Sequence, residues 1–321
     1  MGQSRQRRFR FGVIGESIRS VEHLLAAARQ AEELGYSTLL LRDHLQSEPF
    51  GDQLAPLAAL QTAAAVTSTL RIGTLVLGND FRHPVVLAKE AATLDLLSGR
   101  RFELGIGAGW SREEYDRAGL PFDPAAVRVR RLEESVQILR RLLTGERVTF
   151  AGEHYSVSEL QTFPRPADGV GPPILIGAGS TRMLGIAGRL ADIVGILPRA
   201  LPGGTISAEV SERSPEAMAE KIDWVREAAG QRFDQLELSI VATVVPAEDH
   251  MAAAERLADE QGWTGLPAER VLAMPSVLIG TADRIADQLH ERRERYGLSY
   301  FVVSDQDMTA LAPTVRLLAN G

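Results

Sequence analysis

The 321-residue sequence contains no cysteine and only two lysines, Lys89 and Lys221. Without cysteine, disulfides, thiolate catalysis and Cys-ligated metals are excluded. Both lysines fall in helical patterns, so Schiff-base chemistry at a strand end is not expected. The sequence also lacks His-x-His pairs and a Gly-x-Ser-x-Gly elbow. We therefore expect neither a hydrolytic metal centre nor a serine hydrolase, and we predict no metal site.

A positive charge excess and long apolar runs are missing too. The net charge is −7 and the pI is about 5.5, so no nucleic-acid partner is expected. No apolar run approaches the ~18 residues of a membrane span. The N-terminal "MGQSRQRRFRFGVIG" has no apolar stretch of signal-peptide length. These absences predict a cytoplasmic protein without a membrane partner.

What is present is an alternation of short apolar strands with longer helical patterns. Eight strands each followed by a helical pattern predict a (β/α)8 TIM barrel, a closed parallel α/β fold, and an open doubly wound sheet is the alternative. We predict a single TIM-barrel domain over 1–321. The predicted strands are 10–15, 37–43, 71–78, 101–109, 172–179, 191–197, 236–245 and 298–304, and the predicted helices are 21–34, 56–67, 84–98, 128–144, 182–190, 214–229, 249–260 with 281–296, and 308–319.

Two insertions, at about 145–171 and 198–213, exceed the minimal βα unit. The first contains "RVTFAGEHYSV", which predicts a β-hairpin followed by a proline-rich stretch. The second, "PRALPGGTISAEVSER", predicts an irregular loop. Both are candidate substrate walls or lids, and passive insertions are the alternative.

Barrel enzymes place their sites at the carboxyl ends of the strands, and here several of these ends are rich in glycine. Glycines let a flat ligand approach the backbone, and "GAGSTRML" opens directly into a helix whose free N–H groups suit a phosphate. A flat ring with a phosphate indicates a flavin-like cofactor, although tight βα turns are the alternative for Gly177 and Gly179. We expect this turn to lie at a surface rim where Gly179→Asp leaves the fold intact. The candidate cofactor-binding residues are Gly78 and Asn79 after strand 3, Gly107, Ala108, Gly109 and Trp110 after strand 4, and Gly177, Ala178, Gly179, Ser180 and Thr181 after strand 5.

Several segments together resemble the luciferase-like monooxygenase superfamily, in particular its F420-dependent branch. They are "AEELGYSTLLLRDH", "RIGTLVLGNDFRHPVVLAKEAATLDLLSGRRFELGIGAGW", "EEYDRAGLPF", "ILIGAGSTRMLGIAGRLADIVGI" and "VLIGTADRIADQLHERRERYGLSYFVV". The resemblance implies a barrel with insertions, usually a homodimer. It implies a flavin or deazaflavin ring over the strand ends, where Gly107 and Gly109 keep the end of strand 4 low enough for the ring edge to pass. For Gly105 we expect only a role in barrel packing. The resemblance also implies a non-proline cis peptide in strand 3 around 75–77, which would place Val76 behind the ring.

The pair Asp43-His44 ends the second strand. A neutral imidazole can relay a proton near pH 7, and the resemblance places His44 beside the reactive ring carbon, so His44 is the candidate catalytic residue. A structural role for His44 is the alternative. We count Asp43 with the cofactor-binding residues and expect it to anchor the strand end through Arg82 or Arg42.

One departure concerns the substrate. Relatives that oxidise sugar phosphates carry a carboxylate where Trp110 stands and a tryptophan shortly after Asp-His, where this sequence reads "LQSEPF". Sugar-phosphate dehydrogenase activity is therefore not expected, and we expect an apolar pocket with Trp110 as one wall.

The sequence thus predicts an oxidoreductase that transfers a hydride between coenzyme F420 and a small organic substrate. Two alternatives stay open: an FMN-dependent monooxygenase supplied by a separate reductase, and a non-catalytic protein that binds a flavin or deazaflavin. The almost wholly apolar segment 55–66 predicts a homodimer interface around the helices after strands 2 and 3.

Overall fold

The computed structural model describes residues 7–16 and 18–319. Thirteen strands are present in this part of the chain. In chain order they are β1 (Arg10–Ile14), β2 (Thr38–Leu41), β3 (Arg71–Thr74), β4 (Leu77–Gly78), β5 (Phe102–Gly107), β6 (Val148–Ala151), β7 (Ser156–Leu160), β8 (Ile174–Ala178), β9 (Ile193–Ile196), β10 (Glu237–Val241), β11 (Thr243–Pro246), β12 (Val277–Gly280) and β13 (Leu298–Ser304).

The main sheet is a closed parallel barrel, as predicted. Its strand order is β3-β2-β1-β13-β10-β9-β8-β5-β4, and a further pairing of β3 with β5 closes the ring. Because β3 and β4 both pair with β5, they share one of the eight positions of the barrel. The register of β1 against β13 runs from Arg10 opposite Tyr300 to Ile14 opposite Ser304. The (β/α)8 fold is therefore confirmed.

Helices surround the barrel, and side-chain caps begin several of them. Ser20, Ser214 and Asp249 accept hydrogen bonds from the first free backbone N–H groups of their helices, as N-caps do. No helix in the described ranges has the length and apolar character needed to cross a membrane. The helices are α1 (Val21–Glu33), α2 (Pro56–Ala65), α3 (Pro84–Leu97), α4 (Arg112–Ala118), α5 (Ala125–Leu143), α6 (Thr181–Leu190), α7 (Pro215–Ala229), α8 (His250–Glu260), α9 (Ala268–Leu272), α10 (Ala282–Tyr296) and α11 (Met308–Ala319).

The predicted seventh strand, 236–245, is in fact two strands. Only β10 belongs to the barrel, whereas β11 pairs with β12 in a separate parallel pair. The backbone changes partner between Ala242, which donates to the carbonyl of Val302, and Thr243, which donates to that of Ser276. The apolar pattern continues across this break because β12, α8 and α9 form a second buried cluster around β11. A continuous apolar run does not reveal which sheet buries it.

The two insertions lie on different sides of the barrel. Segment 145–171 contains the predicted hairpin, formed by the antiparallel strands β6 and β7. It connects α5 to β8, so it begins at the end of the barrel where the strands start. Segment 198–213 follows β9 at the opposite end and contains one isolated bridge, between Ala200 and Ile206, and a 3-10 turn, Val210–Arg213.

Buried ion pairs close the amino-terminal end of the barrel. Glu103 is only 1% exposed and accepts hydrogen bonds from two arginines, Arg10 and Arg71. The distance from Arg71 Nε to its carboxylate is 2.5 Å, and the hydroxyl of Tyr300 lies 3.4 Å from the carboxylate. Arg10 also pairs with Glu237 at 2.6 Å. Burial raises the pKa of the Glu237 carboxyl, and the charge of Arg10 opposes that shift. These charged groups pair with one another and occupy the amino-terminal end of the barrel. The functional cavity lies at the opposite end, at the carboxyl ends of the strands.

We predict that Gly105→Ala destabilises the fold by about 1–3 kcal/mol or more, because the new Cβ falls onto the backbone carbonyl of Thr74, which is fixed in the barrel. Gly203→Ala is the matched control, since its Cβ meets no atom within 4 Å, and its effect stays within about 0.5 kcal/mol. Urea unfolding of both variants checks this. Equal midpoints for Gly105→Ala and the wild type would show that the barrel relaxes at no cost.

Candidate active site

A cavity of about 1240 Å³ opens at the carboxyl ends of the barrel strands. Its walls come from the segments after β2, β4, β5, β8 and β9 and from the loop 198–213. The predicted site residues that line it are Asp43, His44, Val76, Gly78, Gly107, Ala108, Gly109, Trp110, Gly177, Ala178, Gly179 and Ser180. These residues are far apart in the sequence, and the closed barrel brings them together.

Asn79 and Thr181 are the predicted residues that do not line the cavity. Asn79 is 1% exposed because the 3-10 turn Asn79–Phe81 directs it inward, where its amide lies 3.4 Å from the hydroxyl of Tyr155. Thr181 is the first residue of α6 and its side chain is exposed to solvent. We therefore drop Asn79 from the proposed site and keep Thr181 only for its backbone N–H.

Val76 forms the floor of the cavity, and glycines of the neighbouring strands make room for it. The Leu75–Val76 peptide bond is cis, within the segment where the sequence places one. A Cβ at Gly107 would lie 2.8 Å from Val76 Cγ2, and a Cβ at Gly177 would lie 3.3 Å from Val76 Cγ1. The sequence interpretation of Gly107 as a passage for the ring edge needs correction, because the space that its missing side chain leaves is filled by Val76.

Gly109 has a different reason to be glycine. Its φ is 75°, in the left-handed region, and a Cβ there would meet the hydroxyl of Tyr115 on α4. Arg128, 4% exposed, donates to the carbonyl of Gly109 and, at 2.9 Å, to that of Asp123. Burial lowers the pKa of the Arg128 guanidinium. Both contacts hold the chain after β5 in the bent path that places Trp110 at the cavity.

Asp43 is committed to an anchoring role. Its carboxylate accepts from both terminal nitrogens of Arg82, at 2.5 and 3.0 Å, and from the backbone N–H of Gly78 at 3.0 Å. Burial alone lowers the pKa of Arg82, but the hydrogen bond and charge of Asp43 outweigh burial and raise it. Of the two arginines considered as partners, Arg82 holds Asp43, whereas Arg42 pairs with Glu16. Asp43 therefore joins the ends of β2 and β4.

His44 stands at the cavity wall in a cluster with two aromatic rings. Its ring centroid lies 5.0 Å from that of Phe50 and 5.7 Å from that of Trp110. Its Nδ1 lies 3.4 Å from both carboxylate oxygens of Glu114, which also accepts from the backbone N–H of Leu45. Sequence reasoning missed Phe50 and Glu114. The segment "EEYDRAGLPF" that contains Glu114 carried part of the family resemblance, but nothing in its pattern says that α4 folds back onto the end of β2.

The turn after β8 presents backbone N–H groups at the start of α6. Ser180 caps this helix by accepting from the N–H of Met183 at 3.5 Å. Gly179 lies against the chain that follows β9, where a Cβ would come within 2.7 Å of the carbonyl oxygen of Leu197 and closer still to Pro198. The expectation that Gly179→Asp leaves the fold intact is therefore wrong. The helix start remains suited to an anion by its dipole and unpaired N–H groups.

Only one of the two insertions forms a wall of the cavity. No residue of 145–171 lines the cavity, so the prediction of a substrate wall there is wrong. The reason is that the hairpin belongs to an αβ connection. The loop 198–213 does contribute, as predicted. Its lining residues are Pro198, Ala200, Leu201, Gly203, Gly204, Thr205, Ile206, Ser207, Ala208 and Arg213.

This loop is tied to α7 through buried charges. Lys221 donates to the carbonyl of Leu197 at 3.0 Å and pairs with Glu212 at 3.5 Å. Glu212 also accepts from the backbone N–H of Arg199 at 2.9 Å. Burial raises the pKa of Glu212, but this backbone contact and the neighbouring cations outweigh burial, so the pKa is lowered overall. Over the described ranges, no group of three or more His, Asp or Glu side chains is arranged to hold a metal ion.

Comparison with known proteins agrees with this geometry. Over 283 residues the chain is 33% identical to an F420-dependent glucose-6-phosphate dehydrogenase of Nakamurella multipartita, covering 86% of this chain and 77% of that one. An F420-dependent glucose-6-phosphate dehydrogenase of Microbacterium testaceum is 34% identical over 299 residues, covering 89% and 82%.

The fold is shared more widely. The F420-dependent tetrahydromethanopterin reductase of Methanopyrus kandleri superposes with a TM-score of 0.75 at 18% identity, covering 98% of this chain and 99% of that one. A family model described as luciferase-like monooxygenase matches residues 8–300. Since this match covers most of the sequence and the barrel has the expected form, the chain belongs to the luciferase-like monooxygenase family.

Proposed function

We propose that the chain is an oxidoreductase that transfers a hydride between coenzyme F420 and a small organic substrate. The observation that carries this is one continuous cavity in which a glycine-flanked floor, the His44 imidazole and the start of α6 are combined. The two relatives above that cover more than four-fifths of this chain are both named for F420 dependence. A flat floor for the redox ring, a proton-transfer group and a place for the phosphate are the three parts that a binding site for such a cofactor needs.

The residues present fit the cofactor. Gly107 and Gly177 bring the backbone of β5 and β8 up to Val76, so a planar ring can lie on the floor without meeting a side chain from these strands. The backbone N–H groups of Gly179, Ser180 and Thr181 would hold the phosphate at the start of α6. The coenzyme, when bound, supplies the hydride acceptor or donor.

The protein's own contribution to the chemistry is a proton relay and a dry pocket. Glu114 engages Nδ1 of His44, so Nε2 is the nitrogen available to take a proton from the substrate or to return one. Phe50 and Trp110 pack against the His44 ring, and because their own centroids are 6.3 Å apart, both shield the same side of the imidazole from water. Leu201 and Ile206 extend the apolar wall from the loop 198–213.

The substrate of this chain is proposed to differ from that of the two dehydrogenases. Their names specify glucose 6-phosphate. Here the indole of Trp110 occupies the position after the β5 glycines and, with Phe50, Leu201 and Ile206, gives the cavity an apolar wall, while five arginines also line it: Arg42, Arg112, Arg117, Arg128 and Arg213. The apolar wall is what supports a small organic molecule as the substrate in place of a sugar phosphate.

The chain is also proposed to form a homodimer through α2 and α3. Apolar side chains of α3 are left in solvent: Val86 is 53% exposed, Leu96 57% and Leu97 61%. The neighbouring α2 exposes Ala58 and Ala65. Exposed apolar side chains on two adjacent helices are typical of a subunit interface. That the chain is a single domain and that it is cytoplasmic remain predictions.

We predict that F420 binds at least about tenfold more tightly than FMN, a difference of roughly 1.4 kcal/mol. The reason is that the two dehydrogenases above, 33% and 34% identical to this chain, are named for F420. Fluorescence titration of the purified protein with each cofactor measures both affinities. Equal or tighter binding of FMN would favour the monooxygenase alternative, and F420 binding without any hydride transfer to a panel of carbonyl and alcohol substrates would favour the non-catalytic one.

We predict that His44→Ala lowers turnover by roughly 10²-fold or more, the usual effect of losing a general acid or base, while the affinity for F420 stays within about tenfold. The ring supplies Nε2 to the substrate and is not needed to hold the phosphate. Steady-state kinetics with F420 and a cofactor titration separate the two effects. Unchanged turnover would make His44 a structural residue.

We predict that the wild type is a dimer at micromolar concentration and that Val86→Glu weakens it, because the variant places a charge in an apolar interface. Leu317→Glu on α11 is the matched control, since Leu317 is 50% exposed on a helix that packs against α10 and β11. Light scattering gives the mass of each. A monomeric wild type, or equal dissociation of the two variants, would contradict the proposed interface.

A further inference from the structure

Glu114 is a buried carboxylate in contact with the histidine of the site, and we infer that it is a positioning residue that sets the tautomer of His44. In this inference Glu114 accepts the Nδ1–H of the ring, and Nε2 is thereby left as the unprotonated nitrogen that faces the substrate. The inference rests on the proposed function for its catalytic consequence, but the tautomer itself can be measured without any turnover.

The burial of Glu114 and the scarcity of its partners support this role. Its side chain is 4% exposed, and within residues 7–16 and 18–319 His44 is its only basic partner within 4.0 Å. A buried carboxylate is costly unless it is paired and hydrogen-bonded. Here the contacts are the backbone N–H of Leu45 and Nδ1 of His44, on the segment that leaves β2. The two groups that contact Glu114 belong to adjacent residues, His44 and Leu45, so Glu114 holds the segment that carries the candidate catalytic residue.

The neighbouring carboxylate shows that the position is specific. Glu113 precedes Glu114 on α4, but its side chain is 58% exposed and pairs in solvent with Arg117 at 2.5 Å, one helical turn away. Glu114 is directed into the protein because Tyr115, next to it, is buried under Gly109 and donates to Asp80 at 3.2 Å. The packing of Tyr115 therefore fixes which of the two carboxylates faces His44.

A carboxylate at this position determines what the ring can do. An ionised carboxylate only accepts hydrogen bonds, so a neutral imidazole opposite it carries its proton on Nδ1. Nε2 then accepts a proton from the substrate, and the imidazolium that results has the negative charge of Glu114 beside it. In the reverse direction the same pair returns the proton from Nε2. An amide in place of the carboxylate can donate to Nδ1 and so favours the opposite tautomer.

Two measurements test the inference on Glu114→Gln, with Glu113→Gln as the matched control. The first is the ¹⁵N NMR spectrum of the His44 imidazole in alkaline buffer, assigned by its loss in His44→Ala. We expect a protonated Nδ1 in the wild type and in Glu113→Gln, and a shift toward protonated Nε2 in Glu114→Gln. A wild-type ring protonated on Nε2 would overturn the inference, and this spectrum requires no variant to fold other than the one used for assignment.

The second measurement is a double-mutant cycle with F420 and a substrate that the wild type turns over. We expect Glu114→Gln to lower kcat by roughly 10²-fold in the wild-type background and by less than about twofold in the His44→Ala background, because it acts through His44. The affinity for F420 stays within about threefold. Equal losses in both backgrounds would assign Glu114 a general structural role and overturn the inference. If the wild type shows no F420-dependent turnover, the proposed function fails while the NMR result still decides the tautomer.

Discussion

The floor of the cavity depends on one packing constraint, the placement of the Val76 side chain among the strand ends. The β5 and β8 strands approach Val76 so closely that a Cβ at Gly107 or Gly177 would contact it, and a Cβ at Gly105 would reach the backbone of Thr74 just before it. Any larger residue at these positions pushes the strands apart. The glycines thus allow three neighbouring strands to end in a flat surface, which the rest of the site uses.

A second set of interactions holds the end of β2 above that floor. Asp43 ties it to Arg82 and to the backbone of Gly78, and Glu114 ties the next two residues to α4. Each carboxylate satisfies backbone N–H groups as well as a side chain, so each fixes the path of the chain and not only a rotamer. His44 lies between these two anchors. Its position is therefore determined by Gly78 and Arg82, at and just after the end of β4, and by Glu114 on α4, and not by β2 alone.

The errors of the sequence interpretation have identifiable physical causes. The apolar pattern of 236–245 continued across a change of sheet because β11 is buried by its own cluster. The hairpin of 145–171 was expected near the cavity, but its place in the chain, after α5 and before β8, assigns it to the opposite type of connection. Gly179 was taken for a residue at an open rim, although the carbonyls of Leu197 and Pro198 cover it. In each case the local sequence indicated the type of secondary structure but did not show which elements would pack against it.

The sequence by itself determined the barrel, the strand ends that form the site and the family resemblance. Hydrophobic periodicity and glycine positions are local properties, and the fold repeats one local unit eight times. Only the tertiary structure decided which residues meet. Glu114 and His44 are 70 positions apart in the chain, and their contact exists because β2 and α4 are brought to the same end of a closed ring. Contacts across the barrel depend on closure and register, and no local pattern records them.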